Sequence, residues 1–324
     1  MNAQMLRRVV GAALASPSVH NVQPARWRID GDALVLLEDV SRRLNVGDPQ
    51  GNDAAISLGA AAEGAAIAAS GEGLATRVER IDGEDRDFRK VARLTFAPGA
   101  APDPLLPVLE MRASWRGGFL APTAQDCEAA AALAGADCTV ISDPAAIAAA
   151  AATYDRASYA IMRGPGFRAE LTHWMRLKRS HPEWARDGLN AAAMQLSGAE
   201  ALAAGAVLGP LFRPLAAMGL APALLAEAKG FAHAAGVALF HRPADEDPFD
   251  SGRAFHRLWL AIDAVGFGAN VLAAVADHNE TAAALCRDHG IPEGHRLVSA
   301  FRIGRRDGQR FPRARLPLDE VLVG

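Results

Sequence analysis

The residues best suited to chemistry near the start of the chain lie between Ser16 and Pro24, in the run Ser-Pro-Ser-Val-His-Asn-Val-Gln-Pro. Two prolines fix backbone φ angles there, and hydroxyl and amide side chains can pair with the polar edge of a heteroaromatic ring. Because the run separates a short helical pattern, Met5 to Ala15, from an alternating strand pattern, we predict a polar turn. On composition alone, the same residues could instead end the helix and satisfy the backbone of the loop.

A second group of polar residues follows a short predicted helix that ends at Met111. Arg112, Ser114 and Arg116 bring two permanent cations and a hydroxyl close together. This grouping suits a phosphate, because guanidinium groups bind phosphate oxygens in pairs. An exposed charged turn is the simpler interpretation of the same three residues.

The elements that would position these groups form two similar patterns. In the first, an Asp-Gly turn joins two strands, an alanine-rich helix of small residues suits close packing against another helix, and two more strands precede a proline-rich linker. The predicted bounds are strands 26–29 and 33–38, helix 53–70, strands 74–81 and 90–96, and linker 98–107. In the second, we predict strands 236–241, 269–274 and 297–303 with helices 252–265 and 281–288 between them.

An internal echo links the two patterns. Ile56 to Val78 and Gly252 to Val275 both contain a helix of small and apolar residues, then a glycine, then an apolar strand. This similarity predicts two diverged copies of one α+β unit. Two apolar helices followed by strands can also arise without duplication.

Composition excludes several classes of protein. Half of the 324 residues are hydrophobic, which is enough for one large domain or two smaller ones. The net charge is -3 and the pI is about 6.3, so no overall field favours nucleic acid or anionic lipid. The three cysteines are far apart and lack Cys-x-x-Cys spacing, which predicts a reducing compartment without a disulfide framework or zinc site.

Sequence signals for a membrane, a metal or a dinucleotide are weak. The apolar region Ala199 to Val237 is interrupted by prolines and charges, and the N-terminus lacks a convincing signal peptide, so we expect a cytoplasmic protein with no membrane partner. The nine histidines do not cluster at ligand spacing, and we assign no metal. Gly266-Phe267-Gly268 is only a fragment of a dinucleotide fingerprint.

Four segments resemble motifs of the FMN-dependent nitroreductase superfamily. Ser16 to Pro24 resembles its Pro-Ser-x-x-Asn-x-Gln-Pro loop, although Ala25 stands where the family usually has tryptophan. Arg112 to Arg116 resembles its Arg-x-Ser-x-Arg motif, and Arg315 to Val321 resembles its closing Arg-x-Pro-x-Glu-Glu-Val. Gly266 to Ala274 resembles the segment whose backbone amides face flavin N5, although the usual acidic residue is absent.

The resemblance implies a set of cofactor-binding residues. Asn21 and Gln23 would pair with the flavin or order the loop, Arg112, Arg116 and Arg315 would neutralise the phosphate, and the amides of two alanines would face N5. The full implied set is Pro17, Ser18, Asn21, Gln23, Arg112, Ser114, Arg116, Ala273, Ala274, Arg315 and, as a second terminal candidate, Arg313. His20 would either donate a proton to a reduced substrate or hold the loop by a hydrogen bond.

The distribution of the motifs implies an internal pseudo-dimer. In the superfamily two subunits build each flavin site, whereas here the Pro-Ser loop lies in the first half of the chain and the other parts lie in the second. The resemblance therefore implies an α+β, nitroreductase-like fold with halves at 1–100 and 101–324 and a single FMN at their seam. This arrangement resembles the dormancy-associated Acg-like branch, in which a helical insertion, here around 165–230, packs over the flavin as a lid.

The implied function is an oxidoreductase that passes hydride or electrons through flavin N5 to a small organic acceptor, with NADH or NADPH as a candidate donor. The chain would be a monomer with an internal pseudo-dimer, or a homodimer. One alternative is a protein that stores or sequesters FMN with little turnover, since a lid would limit access. A third is a helical interaction module that uses the apolar surface of Ala199 to Val237.

Overall fold

We describe the protein from a computed structural model that covers residues 2–311 and 313–324. Helix α1 (Ala3–Ala13) begins at Asn2, whose side chain accepts a hydrogen bond from the Met5 amide at 2.8 Å. Its buried positions recur every three or four residues along one face: Leu6, Val9, Val10 and Ala13. This stripe packs on the first hydrophobic core.

The first sheet contains five antiparallel strands. Its main order is β1-β2-β5-β3, and β4 pairs with the edge of β5. The predicted Asp-Gly hairpin is present, with Gly31 at a φ of 61° in the turn. The strands are β1 (Ala25–Asp30), β2 (Ala33–Glu38), β3 (Leu74–Arg80), β4 (Glu84–Asp85) and β5 (Phe88–Pro98).

Two long helices cross at the centre of the molecule. They are α2 (Asn52–Gly71) and α10 (Pro248–Ala264). The prediction that small residues of α2 pack closely against another helix is confirmed: a Cβ on Gly59 would lie 1.8 Å from the Phe249 carbonyl oxygen. In the same way, a Cβ on Gly252 would lie 2.1 Å from the Ile56 carbonyl oxygen. Only glycine at both positions lets the two backbones approach this closely.

The second sheet has the strand order β10-β11-β9-β6, and all its pairs are antiparallel. Its strands are β6 (Cys138–Ile141), β9 (Gly236–Pro243), β10 (Phe267–Val271) and β11 (His295–Arg305). The predicted strand 269–274 was wrong at its end, because the chain leaves the sheet after Val271 and turns into α11 (Ala274–Asp277). Sequence reasoning did not predict β6, which is only four residues long.

The remaining elements are mostly short helices. Capping boxes fix the starts of α4 (Ala124–Ala131) and α7 (Gly198–Leu208). In each, the hydroxyl of Thr123 or Ser197 accepts from the amide three residues later, and the acidic side chain of that residue accepts from the amide of the cap. The strands β7 (Met175–Arg176) and β8 (Leu189–Asn190) form a small parallel pair. The helices are α3 (Leu106–Leu109), α4 (Ala124–Ala131), α5 (Pro144–Met162), α6 (Pro165–Trp174), α7 (Gly198–Leu208), α8 (Phe212–Ala217), α9 (Ala221–Leu225), α12 (Asn279–Asp288) and α13 (Leu318–Val321).

Two pairs of glycines occupy equivalent positions in the two halves of the chain. The same sequence offset separates Gly59 from Gly252 and Gly73 from Gly266. Gly73 and Gly266 both adopt left-handed backbone, with φ of 74° and 83°, and in each half a strand begins at the next residue. This spacing aligns 56–78 with 249–271, which begins three residues and ends four residues before the second copy predicted from the sequence, 252–275. The duplication itself remains a prediction.

Packing crosses the predicted boundary at residue 100. Leu109 of α3 and Val321 of α13 are buried in the first core, although both lie in the second half of the sequence. The C-terminal segment also meets β1, where the Val323 amide donates to the Trp27 carbonyl at 2.8 Å. Parts of the second half therefore complete the core and the sheet of the first half.

One helix of the described chain, α2, is long and apolar enough to cross a membrane. Within its most apolar window, 78% of the residues are buried inside the protein. Its contacts with α10 and α1 account for this burial, which is typical of a core helix.

Candidate functional site

The loop from Ser16 to Pro24 has a strained backbone. His20, Asn21 and Gln23 all adopt left-handed φ angles, at 43°, 55° and 54°. Non-glycine residues rarely occupy this region, so the surrounding hydrogen bonds must hold the loop in place. The Ser18 hydroxyl accepts from the Gln23 amide at 3.0 Å, and the Ser57 hydroxyl of α2 accepts from the Val19 amide at 3.2 Å.

The amide side chains of this loop bind protein backbone. Asn21 donates to the carbonyls of Gly188 at 3.1 Å and Ala314 at 3.2 Å. Gln23 donates to the Arg186 carbonyl at 2.8 Å and accepts from the Leu316 amide at 2.9 Å. Asn21 and Gln23 were expected either to pair with a flavin or to order the loop. Their contacts with backbone groups are of the second kind.

The arginine cluster is fixed to the edge of β10. The Trp115 amide donates to the Ala269 carbonyl at 2.7 Å. Ser114 and Ala269 are paired as an isolated parallel β-bridge of the backbone. Arg112 is only 3% exposed, and its guanidinium lies 4.3 Å from the ring centre of Trp259 on α10. Two of its nitrogens donate to the Ala15 carbonyl at 3.1 and 3.0 Å.

Two guanidinium groups of this cluster retain donors for a ligand. Arg112 Nη1 is buried and has no hydrogen-bond partner among the described residues. Burial is the main cause that lowers the pKa of Arg112 well below its usual value, and the nearby charge of Arg315 adds to it. The Arg116 side chain makes no hydrogen bond or ion pair with the described chain, and it lines the same cavity. An anion would satisfy both groups.

The C-terminal arginines approach the same place. Arg315 Nη1 donates to Asn21 Oδ1 at 2.6 Å, and its Nε donates to the Leu14 carbonyl at 2.6 Å. Burial, together with the smaller effect of the Arg313 charge, lowers the pKa of Arg315 to about 9. Arg313 Nη1 donates to the Arg112 carbonyl at 2.9 Å, so it reinforces the cluster from behind.

His20 lies in the wall of the cavity as a neutral imidazole. Burial lowers its pKa to about 4, and the charge of Arg116 contributes to the decrease. Its ring packs edge-on against Phe167, with 6.4 Å between ring centres, and Nδ1 has no partner among the described residues. A side chain that is neutral at pH 7 favours hydrogen bonding over proton donation as its role.

Ala273 and Ala274 place two backbone amides at the cavity. They follow β10 and begin α11, and neither amide donates to a described protein group. Unpaired amides at such a turn can donate to an acceptor atom of a ligand.

One cavity brings these groups together. It has a volume of about 510 Å³, within the range of small-molecule sites, and all the sequence-predicted site residues line it except Gln23. Both halves contribute to its wall. Sequence reasoning missed several lining residues, which have no motif of their own: Asp53, Ser57, Tyr154, Ser158, Phe255, Trp259, Asp277 and Ser299.

The segment from 165 to 230, called here the middle segment, lines one part of the cavity wall, mostly with apolar side chains. Those that reach the cavity are Phe167, Leu171, Met175, Leu189, Met194, Leu196, Leu208, Leu224 and Leu225. Asp187 anchors the segment, since it accepts from Arg176 at 2.7 Å and from Arg42 of the first half at 2.9 Å. Both guanidinium groups also lie near the Trp174 ring, at 5.4 Å for Arg176 and 5.6 Å for Arg42. The middle segment is therefore tied to the first half through Arg42.

Two carboxylates in the cavity have unusual surroundings. Burial is the main cause that raises the pKa of Asp53 to about 8 and that of Asp277 to about 6. Across residues 2–311 and 313–324, no group of three or more metal-binding side chains is present.

The comparisons with known proteins point to one superfamily. No protein-family profile matches the chain. Two Mycobacterium tuberculosis proteins resemble it: one provisionally named NAD(P)H nitroreductase Rv3131, 34% identical over 86 residues, and one provisionally named NAD(P)H nitroreductase acg, 29% identical over 98 residues. The matches cover 26% and 30% of this chain, and 25% and 29% of those proteins. The chain therefore matches less than a third of either relative.

Solved structures give weaker similarities. An Anabaena variabilis protein provisionally named a nitroreductase is 11% identical, with a TM-score of 0.43, over 93% of this chain and 88% of its own. A Bacteroides fragilis nitroreductase with bound FMN is 13% identical, with a TM-score of 0.36, over 64% of this chain and 92% of its own. The curated relatives confirm the resemblance to nitroreductases that the motifs predicted, and one of them carries the Acg name.

Proposed function

We propose that this chain, which resembles the nitroreductase superfamily and its Acg-like branch, binds one FMN at the seam between its halves and acts as an oxidoreductase. The observation that carries the proposal is the convergence of four arginines, two unpaired alanine amides and the Pro-Ser loop on one cavity. When bound, FMN would supply hydride or electron transfer at its N5 atom.

The residues of the cavity fit such a group. The unpaired Arg112 Nη1 and the free side chain of Arg116 would hold the phosphate, with Ser114 beside them. The amides of Ala273 and Ala274 would donate to an acceptor atom of the ring. Pro17, Ser18 and His20 would border the ring, while Asn21, Gln23, Arg313 and Arg315 would keep the loop and the arginine cluster in place.

The middle segment would control which molecules reach the ring. Its side chains at the cavity are mostly apolar, so the acceptor is expected to be a small, largely uncharged organic molecule. NADH or NADPH would be the electron donor if either can pass this segment. A single chain carries all these groups, which supports a monomer with an internal pseudo-dimer.

The same covering favours a second candidate function, the storage of FMN with little turnover. Anaerobic mixing of the FMN-loaded chain with NADPH, and separately with NADH, separates the two functions. Bleaching of the flavin absorbance within seconds, followed by recovery when menadione is added, would support the oxidoreductase. Flavin that stays oxidised with both donors would contradict nicotinamide-driven turnover and favour storage.

A further inference from the structure

Three buried polar side chains form a stripe along α10. His256, Trp259 and Asp263 follow one another at intervals of three and four residues, so they lie on one face of the helix. They are 0%, 3% and 6% exposed. Each keeps one polar atom, Nε2, Nε1 and Oδ2 respectively, without a hydrogen-bond partner in the described chain. Because buried polar groups are almost always paired, this face of α10 is expected to meet further polar groups.

Arg112 lies on the middle of this stripe. Its guanidinium group is 4.3 Å from the ring centre of Trp259, and its Nη1 is a buried donor that no described residue accepts. Burial and the Arg112 charge lower the pKa of His256 to about 3, so His256 is neutral at pH 7. Asp263 is therefore the only charged member of the stripe, and its Oδ2 is a buried acceptor that no described residue occupies.

Asp263 also holds two arginines that follow β11. Its Oδ1 accepts from Arg306 Nη1 at 3.4 Å and from Arg310 Nη2. Arg310 Nη1 donates in turn to the carbonyl of Met111, the residue before Arg112. One carboxylate on α10 is therefore linked through Arg310 to the backbone that carries Arg112.

The charges around Asp263 are unequal in number. No other carboxylate of the described chain forms an ion pair with Arg112, Arg306 or Arg310. Burial raises the pKa of Asp263 to about 6, and the charges of Arg310 and Arg112 oppose this rise. The carboxyl group is therefore ionised at pH 8. One negative charge faces three positive ones, and an excess of positive charge attracts anions.

We propose that Asp263 is the internal counter-ion of the anion site. Without a ligand, its carboxylate balances the charge of Arg112, Arg306 and Arg310 and keeps these side chains together. A phosphate group that binds Arg112 then competes with Asp263 for the same positive charge. Asp263 is a positioning residue, because it acts through the arginines and does not itself line the cavity. The identity of the ligand as FMN rests on the proposed function, whereas the counter-ion role concerns any phosphate.

The first test measures thermal unfolding of the FMN-free full chain at pH 8, in sodium phosphate and in sodium chloride of equal ionic strength. Asp263→Asn removes the negative charge at nearly constant shape, so we expect Tm in chloride to fall by roughly 5 °C. Phosphate should raise the Tm of this variant at least twice as much as that of the unmodified chain, because the anion supplies the missing negative charge.

Glu63→Gln is the matched control. Glu63 is also 6% exposed and also pairs with two arginines, Arg253 and Arg257, each at 2.9 Å. None of these three residues lines the cavity. The control should therefore lose stability but keep the phosphate response of the unmodified chain. An Asp263→Asn response equal to that of Glu63→Gln would overturn the proposal, and so would a phosphate effect absent from every protein.

Asp263→Glu separates charge from packing. It keeps the carboxylate, so its response to phosphate should stay near that of the unmodified chain, whatever the longer side chain does to Tm in chloride. A Glu variant that responds like the Asn variant would contradict the counter-ion role. If Asp263→Asn is unfolded in chloride, refolding on addition of phosphate supports the role, and failure to refold contradicts it.

Flavin binding tests the competition itself. FMN carries a phosphate and riboflavin does not, so Asp263→Asn should bind FMN about tenfold more tightly and riboflavin with unchanged affinity. Equal changes for the two flavins would contradict the competition. If no variant binds FMN, the proposed function fails, but the phosphate measurements still decide whether Asp263 is the counter-ion.

Discussion

Arg315 and Asn21 are joined by a hydrogen bond of 2.6 Å between guanidinium Nη1 and amide Oδ1. This bond ties the C-terminal segment to the strained loop of the first half. Because the same guanidinium also donates to the Leu14 carbonyl, Arg315 ties the C-terminal segment to the residue that follows α1 as well.

Arg315→Ala should therefore weaken both folding and ligand binding. It would leave two partly buried acceptors unpaired, at a cost of about 2 to 4 kcal/mol in the free energy of unfolding. Urea denaturation measures this loss. Arg7→Ala, which removes only the exposed pair with Asp319, should change stability by less than about 1 kcal/mol. Equal effects of the two variants would contradict the structural role of Arg315.

The crossing of α2 and α10 predicts a second effect. Gly59→Ala would push a methyl group into the Phe249 carbonyl, which is backbone and cannot rotate away, so we expect a loss of about 3 kcal/mol or more. At Gly198, in the first turn of α7, an added Cβ meets nothing within 4 Å. Gly198→Ala should be neutral or slightly stabilising. Thermal unfolding of both variants and the unmodified chain measures the difference. A tolerated Gly59→Ala would show that the helices are farther apart.

Buried histidines predict a loss of stability in acid. Burial lowers the pKa of His256 to about 3, and its Nδ1 lies 2.8 Å from the Ala60 carbonyl. The unfolded chain binds this proton near pH 6.5, so stability is full above that pH and falls as pH drops toward 3. Between pH 7 and 5 the loss should be about 2 kcal/mol for His256 alone.

Urea unfolding at pH 5, 6 and 7 measures this slope. His256→Gln should reduce it, even if the variant is less stable at pH 7. His233→Asn replaces an exposed histidine whose left-handed φ of 61° suits asparagine, and it should leave the slope unchanged. The same slope in all three proteins would rule out His256 as its source.

Asp187 predicts how the middle segment is held. This carboxylate is 3% exposed and pairs with Arg176 and Arg42, so Asp187→Ala would remove the buried carboxylate that these two guanidinium groups share. We expect a loss of about 3 to 5 kcal/mol and faster proteolysis between 165 and 230. Limited proteolysis followed by mass spectrometry locates the cuts. The control is Glu183→Ala, which breaks only a partly exposed ion pair with Arg186. The protease should cut this variant no faster than the unmodified chain.

Turn chemistry and motif spacing pointed to many of the residues that line the cavity. Arg112, Ser114 and Arg116 lie together because a short helix ends just before them, and the Pro-Ser loop follows a helix whose apolar stripe is regular. Asp53 was hidden because an acid in the first turn of a helix is ordinary there. Asp277 was missed because 269–274 was taken as a strand, whereas the chain turns at Val271.

Long-range partners could not be predicted from sequence patterns. Trp259 stacks on Arg112 only because α10 passes beneath the arginine cluster. In the same way, Asn21 and Gln23 find their partners in the middle and C-terminal segments, which tertiary packing alone brings to the loop. Local sequence patterns therefore indicated several residues of the cavity wall. The contacts that hold those residues in place depend on how the two halves pack together.

The central claim is one FMN site per chain, at the seam between the halves. Titration of the FMN-free chain with FMN, followed by flavin fluorescence, measures this most directly. We predict an equivalence point at one FMN per chain, a markedly weaker affinity for Arg116→Ala, and an unchanged titration for the exposed Arg77→Ala. No binding, two FMN per chain, or equal affinity in both variants would contradict the account.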